Sequence, residues 1–431
     1  MSGGVALVLL GDVMLGRVVD EALTVLRPAQ HMHRVWGDCL PLLRGGMAAT
    51  GEQQLVAGNL ECAVTDAEEK EEKEFNFKLS PANVDALTTA RFDFASLANN
   101  HSLDYKEQGL HETRRVLAAA GIAAAGAGTA GEAAAPALVE RGGCKLAFFC
   151  YSDHYETWAA TERRPGINYI RPETATPEAV AAQLAAAQAA GADLTVVFVH
   201  WGPNWRWRPS KAIQRLARTF VDCGASIVFG HSSHHIKGIE VYRGCPIIYG
   251  AGGFIDDYKL DENYRNDLGF LYRCHIGAVG STSVSADHVG GAGAGRSAGG
   301  AGAGEGPSGS GGKPAAGALQ PTYLELVPTR IVHMWTAAGR PRYVSEVHIA
   351  HGADARWLRS RLREVSAEWG TPLLDGGAGR LIIPLQGGGS SGSGEEAHDR
   401  RAGDGEAGAP AGSGSGMRSM LHRLLSVVVG L

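Results

Sequence analysis

"SIVFGHSSHHIKG", residues 226–238, decides how this chain is to be read. A short apolar run, Ile227-Val228-Phe229, breaks at Gly230, and the next five residues are His231, Ser232, Ser233, His234 and His235. An apolar run of that length, closed by glycine, fits a strand buried on both faces. The polar groups behind it then belong to the loop at the strand's carboxyl end. Alone, the stretch fits a metal site, a serine-hydrolase loop or a histidine-rich polar loop. The choice depends on what other strands deliver to the same edge.

Four more apolar runs end the same way. Residues 5–10 lead into Gly11-Asp12, and 55–57 into Gly58-Asn59-Leu60-Glu61. Residues 92–97 lead into Asn99-Asn100-His101, and 194–199 into His200-Trp201-Gly202. Helical segments lie between the runs: 104–121 closes on Gly121, 176–191 opens on Thr176-Pro177-Glu178 and stops at Gly191, and 209–224 stops at Gly224. Strands alternating with helices predict an α/β core with a largely parallel or mixed sheet. In such sheets the functional crevice lies outside the carboxyl ends of the strands. Carboxylate, amide and imidazole donors meeting there suit Mn, Zn, Fe or Mg, as one ion or two, rather than copper(I) or an iron–sulfur cluster. A pair of such ions is the usual apparatus for hydrolysing phosphate esters. Each residue also has an ordinary reading: Asp12 as a helix cap, Glu61 as a loop acid, His101 as a cap near Asp104, His200 as a packed core imidazole. Their coincidence at five strand ends is what points to a shared site.

Composition narrows the rest. The chain has 431 residues, 44% of them hydrophobic, and most of its 60 glycines fall late. The net charge of −5 and scattered Lys and Arg predict no nucleic-acid surface. Seven widely spaced cysteines without a CxxC pair, and an apolar start without a basic leader, predict a cytoplasmic protein with reduced thiols. No stretch is long enough to span a membrane; the last fifteen residues, 417–431, read as an amphipathic tail. Residues 280–320 and 386–416 are Gly-, Ala- and Ser-rich and predict disorder. The expected division is a core at 1–279, strands and a helix at 321–385 that complete it, and these two inserts. His31 and His33 read as surface groups; His154, His275, His333, His348, His351, His398 and His422 read as lone structural or solvated histidines. The charge run at 65–75 reads as a solvated loop or helix face.

"GDVMLGR", "GNLECAVT", "FNFKLSPANVDAL", "FDFASLANNHSLDY", "HWGPNW" and "GHSSHHIKGIEVYRGCPIIYG" resemble, in this order, the motifs of the CapA capsule-synthesis family, the poly-γ-glutamate group of the calcineurin-like metallophosphatase superfamily. The resemblance implies a metallophosphatase-like four-layer α/β/β/α sandwich, here with a C-terminal hairpin and helix. It implies Asp12, Glu61, Asn100, His200 and His234 as metal ligands, with Glu61 bridging and His231 a further or alternative donor. His101, with Asn100, would serve catalysis by protonating the leaving oxygen or steadying the transition state. Arg17, Lys78, Asn99 and Arg206 would face an anionic substrate, small or polymeric. Three positions depart from the family pattern. Met14 stands where the first motif carries histidine, Ser232-Ser233-His234 replaces His-Pro-His, and Gly253 stands where Asn or Asp is common. The expected function is a metal-dependent phosphoester hydrolase; the alternative is a non-catalytic accessory protein that holds an acidic polymer or partner.

Overall fold

All five runs that end in donors are strands in the computed structural model, with ends that differ by up to three residues from the runs: β1 (Val5–Val13), β2 (Gln53–Leu60), β3 (Phe92–Ser96), β4 (Leu194–His200) and β5 (Ile227–His231). The structure describes residues 4–25, 29–45, 52–278, 318–336 and 342–385. The first three strands belong to a ten-stranded sheet and the last two to a six-stranded one.

Both sheets are mixed. In the larger, β1, β2, β3 and Ala123–Ala125 run parallel. On the other side of β1 the strands Leu268–Ala278, Leu319–Thr336 and Leu381–Pro384 follow as antiparallel neighbours. In the smaller, Cys144–Ser152, β4, β5 and Cys245–Ile248 are parallel, with Ala137–Arg141 and Ile239–Tyr242 antiparallel at the edges.

The strands are apolar on both faces because both faces are covered. Val5, Leu7 and Leu9 of β1, Phe94 of β3, Leu146 and Phe148, Val196 and Phe198 of β4, and Ile227 and Phe229 of β5 form one core between the sheets. The alternate residues Val8 and Leu10 pack outward on Trp36, Leu110 and Leu117, the last two from helix α1 (Lys106–Ala119). Phe149, Val197, Val199 and Val228 pack on the other side against α2 (Pro177–Ala189) and α3 (Lys211–Asp222), through Val180, Leu184, Ile213, Leu216 and Phe220. The period-2 division of each strand between two cores is what fixes its register. Thr176 and Ser210 cap α2 and α3, their hydroxyls accepting from Ala179 N and Ile213 N. A fourth helix, α4 (Gly352–Ser366), closes the inter-sheet core with Leu358 and Leu362.

The insert expected at 280–320 gives up its last two residues to the strand Leu319–Thr336; its residues 280–317, the linker 386–416 and the tail 417–431 lie outside the described residues. All seven cysteines are free thiols. Among the described residues no helix is long and apolar enough to cross a membrane.

Candidate metal centre

The parallel pairing brings the strand ends together. At the end of β1 the register shifts between Leu10 and Asp12, and Asp12 comes opposite Asn59 of β2 on one side and Gly253 of the short strand Gly253–Ile255 on the other. Gly11 permits this: a Cβ there would lie 2.0 Å from Gly252 O. In the smaller sheet the β4–β5 register sets His200 opposite His231. The loop after β5 then turns back through two residues with positive φ, Ser232 at 98° and His234 at 60°.

Two sets of donor atoms result, each lying within 4.8 Å of one another: Asp12, His200 and His231; and Asp12, Glu61 and His234. Asp12 belongs to both groups and Glu61 to one. Asp12 Oδ1 accepts from Asn59 Nδ2 (2.8 Å) and Asp12 Oδ2 from Ser232 N (3.3 Å), while His231 Nδ1 and His234 Nδ1 stand 3.6 and 3.7 Å from these oxygens. His231 is as well placed as His200: their Nδ1 atoms are 2.9 Å apart. One imidazole donates to the other's bare nitrogen, or both lone pairs turn to one cation.

Several buried polar atoms here have no hydrogen-bond partner: both Glu61 carboxylate oxygens, Asn100 Oδ1, His231 Nε2 and His234 Nδ1. Each such atom costs roughly 1–3 kcal/mol when left unsatisfied. Of these atoms, those of Glu61 and His234 belong to one donor group, while His231 faces Asp12 and His200 with Nδ1 and turns its bare Nε2 away. Bare carboxylate and imidazole lone pairs beside Asp12 are donors a divalent cation takes. The residues therefore fit the metal that the donor pattern implies. Met14 does not take part: it is buried in the helix-covered core, and its Sδ accepts from Gly16 N.

His101 stands just outside both sets. Its Nδ1 faces Asp104 Oδ2 at 2.6 Å and its Nε2 lies 4.0 Å from Glu61 Oε1; the ring stacks on Phe77 with centroids 4.0 Å apart. Asp104 fixes the tautomer with the proton on Nδ1, leaving Nε2 directed at the donor cluster. Lys73 Nζ pairs with Asp104 Oδ1 (2.6 Å) and also reaches Asn100 O and His101 Nδ1.

Burial dominates the electrostatics. It pushes the Asp12 carboxyl up to about 6, against the lowering effect of its hydrogen bonds. Burial also raises Glu61 well above the usual carboxylate range, with Asp12 beside it adding to the shift. It holds His231 and His234 down to about 3, and His200 and His101 below the ordinary imidazole value. The histidines are thus neutral and ready to ligate near neutral pH, while burial makes both carboxyls hold their protons to higher pH than an ordinary carboxylate, protons a cation must displace where they remain. Ion affinity should accordingly strengthen as pH rises through about 6, with the proton released from Asp12 at pH 6 diminishing above it. Calorimetric titration with Mn²⁺ in buffers of different ionisation enthalpy measures that release; pH-independent affinity between 5.5 and 8 would contradict it.

Not every expected residue faces the site. Asn99 is fully buried and spent on the loop: its Nδ2 donates to Asn59 Oδ1 and Leu60 O, and its Oδ1 accepts from His101 N. Lys78 turns to Ala67 O and lies over Tyr105, so the substrate role expected of it has no support, and Lys73 is the lysine at the site. Arg17 lies over Phe77, paired with Asp257 at 3.3 Å, on the His101 side of the rim. Arg206 is exposed beside Trp205, whose ring is 6.0 Å from that of His234. His235 points into an aromatic box of Trp205, Trp207 and Tyr264.

Sequence reasoning missed Lys73, Asp104 and His154. His154 packs edge-on to His200 (centroids 4.9 Å) and contacts Ser232 Oγ at 3.2 Å. A signal existed: "KLAFFCYSDH" is a sixth apolar run ending in Asp153-His154, and the strand-end rule applies to it unchanged. Lys73 carried none, lying in a charge run that looks solvated.

Comparison with known proteins bears on the same residues. The model of the family described as "Bacterial capsule synthesis protein PGA_cap" matches residues 6–258, which span every donor above. The chain is 36% identical over 302 residues to a Mycobacterium tuberculosis protein described as "Probable polyglutamine synthesis accessory protein", covering 62% of this chain and 79% of the relative. It is 30% identical over 252 residues to the PGA biosynthesis protein CapA of Bacillus subtilis (57% of this chain, 62% of the relative). It is 28% identical over 255 residues to the capsule biosynthesis protein CapA of Bacillus anthracis (58% and 59%).

Proposed function

This chain belongs to the bacterial capsule synthesis protein PGA_cap family, and from that premise we propose that it is a metal-dependent hydrolase of phosphoester type with a metallophosphatase-like sandwich fold. One observation carries the reading: buried donors from both sheets converge, with the Glu61 oxygens and His234 Nδ1 left without hydrogen-bond partners, beside an Asp104–His101 pair whose free nitrogen faces them. Asp12, Glu61, His200, His231, His234 and Asn100 would hold a divalent cation, which when bound would supply Lewis-acid charge neutralisation and lower the pKa of water. The residues do the rest. Asp104 holds the His101 Nδ1 proton in place, and His101 Nε2, bare at rest, takes a proton from the entering water and passes it to the leaving oxygen. Glu61 and Asp12 orient whatever oxygen enters between them. Arg17 and Arg206 bring positive charge to the rim and favour an anionic substrate, small or polymeric.

A second reading, an accessory protein that holds an acidic polymer or partner without hydrolysing it, is favoured by Met14, whose thioether is spent on Gly16 N. Two relatives carry capsule or PGA biosynthesis in their names and another is described as an accessory protein, which agrees with either.

Chelation separates the two. Protein stripped with EDTA is expected to regain one or two equivalents of Mn²⁺ or Zn²⁺ and, with them, hydrolysis of p-nitrophenyl phosphate or its diester. Protein that binds no ion overturns the metal reading; protein that binds ion and cleaves neither ester supports the accessory role.

A further inference from the structure

Residue 256 is the first residue beyond the short strand that pairs with the end of β1, as residue 14 is the first beyond β1. The strand Gly253–Ile255 runs parallel to the end of β1, with Asp12 opposite Gly253 and Val13 opposite Ile255, and Met14 N donates to Ile255 O at 2.9 Å. The next residue is Asp256. It is 1% exposed; its Oδ1 accepts from Tyr258 N (2.9 Å), and its Oδ2 is a buried atom with no hydrogen-bond partner. The carboxylate folds back over Gly253, so closely that a Cβ on that glycine would lie 2.7 Å from Oδ2. Gly253 in turn lies directly beside Asp12. An acid is therefore buried at the edge of the donor cluster, in space that only glycine at 253 leaves open.

We infer that Asp256 is a further ligand of the ion held by Asp12, Glu61 and His234, supplying the donor that this chain lacks at residue 14. The inference rests on the metal-binding part of the proposed function. Asp256 is not among the atoms that already lie within 4.8 Å of one another. One backbone amide holds one of its oxygens, so the carboxylate is free to turn toward the cluster when an ion loads. Asp257, the next acid along, faces away to Arg17 and Val18 N.

The test compares Mn²⁺ and Zn²⁺ titrations, by calorimetry and by metal content after dialysis, of the whole chain and of Asp256→Asn, Gly253→Ala and Asp257→Asn. Asp256→Asn should weaken binding at least about tenfold, or remove one equivalent where two are bound. Gly253→Ala should do the same by displacing the carboxylate, since the atom it meets is the end of a flexible side chain and the fold survives. Asp257→Asn should leave affinity within about twofold. Unchanged binding in Asp256→Asn, or an equal loss in Asp257→Asn, overturns the assignment while the metal site stands. A wild-type chain that binds no ion overturns the site itself. Circular dichroism and melting of the ion-free variants separate lost ligation from lost folding.

Discussion

Asp12→Ala is expected to remove ion binding from both donor groups at once. Asp12 is the member they share, so among the described residues each set of three loses a ligand with it. Removing even a residue that only orients a ligand costs 10–100-fold in metal affinity, so losing a shared ligand should cost more than about 100-fold. The fold itself should tolerate the change. Asn59 Nδ2 and Ser232 N lose an acceptor, at roughly 1–3 kcal/mol for a buried donor left unpaired. Against that, the Asp12 carboxyl is pushed up to about 6 by burial. For an acid whose folded pKa is raised, the folded state binds the extra proton, so stability falls as pH rises from about 4 to about 6 and stays lower above. Above pH 6 the alanine variant escapes that cost. The ion-free variant should melt within a few degrees of ion-free wild type, and the ion-dependent rise in Tm should vanish. Retained stoichiometric Mn²⁺ binding would show that Asp12 is not a ligand.

His101→Ala should do the opposite, keeping the ion and losing the reaction. His101 is in neither donor group, and its Nε2 lies 4.0 Å from Glu61 while Nδ1 is taken by Asp104. A positioned general acid contributes about 10²–10⁴-fold, so kcat should fall by that factor with metal content unchanged. Phe77 loses the ring it stacks on, and some stability goes with it; His101→Asn keeps more of the volume and separates packing from proton transfer. A loss of metal in parallel with activity would make His101 a ligand, and activity within threefold of wild type would remove it from the proton path.

Strand ends were legible because each donor follows an apolar run, either directly, as His200 does, or behind a glycine or asparagine, a local pattern. Asp12, Glu61, His200, His231 and His234 could be named on that ground, and the α/β class with its mixed sheets followed from the same runs. Partners set by tertiary contact were not legible. Asn99 and Asn100 are the same residue type side by side, yet one is spent on Asn59 and Leu60 while the other leaves Oδ1 bare. Only the turn after β3 decides which. Lys78 sits in a family-like motif and points away, whereas Lys73, hidden in an acidic run, reaches Asp104. Asp256 was passed over because its relation to residue 14 exists only once two distant segments run side by side.

The register that brings Ser232 N to Asp12 joins residues 220 apart in sequence. The last of these donors is synthesised long after the first, and the two sheets must dock before the cluster exists. On the proposed reading, metallation is therefore a late event in the life of the chain, following folding rather than guiding it. The ion-free fold has to stand unaided with its neutral histidines and buried carboxyls. Which cation arrives is then settled by the ion pool the finished protein meets, so expression conditions and purification history should govern which metal it carries.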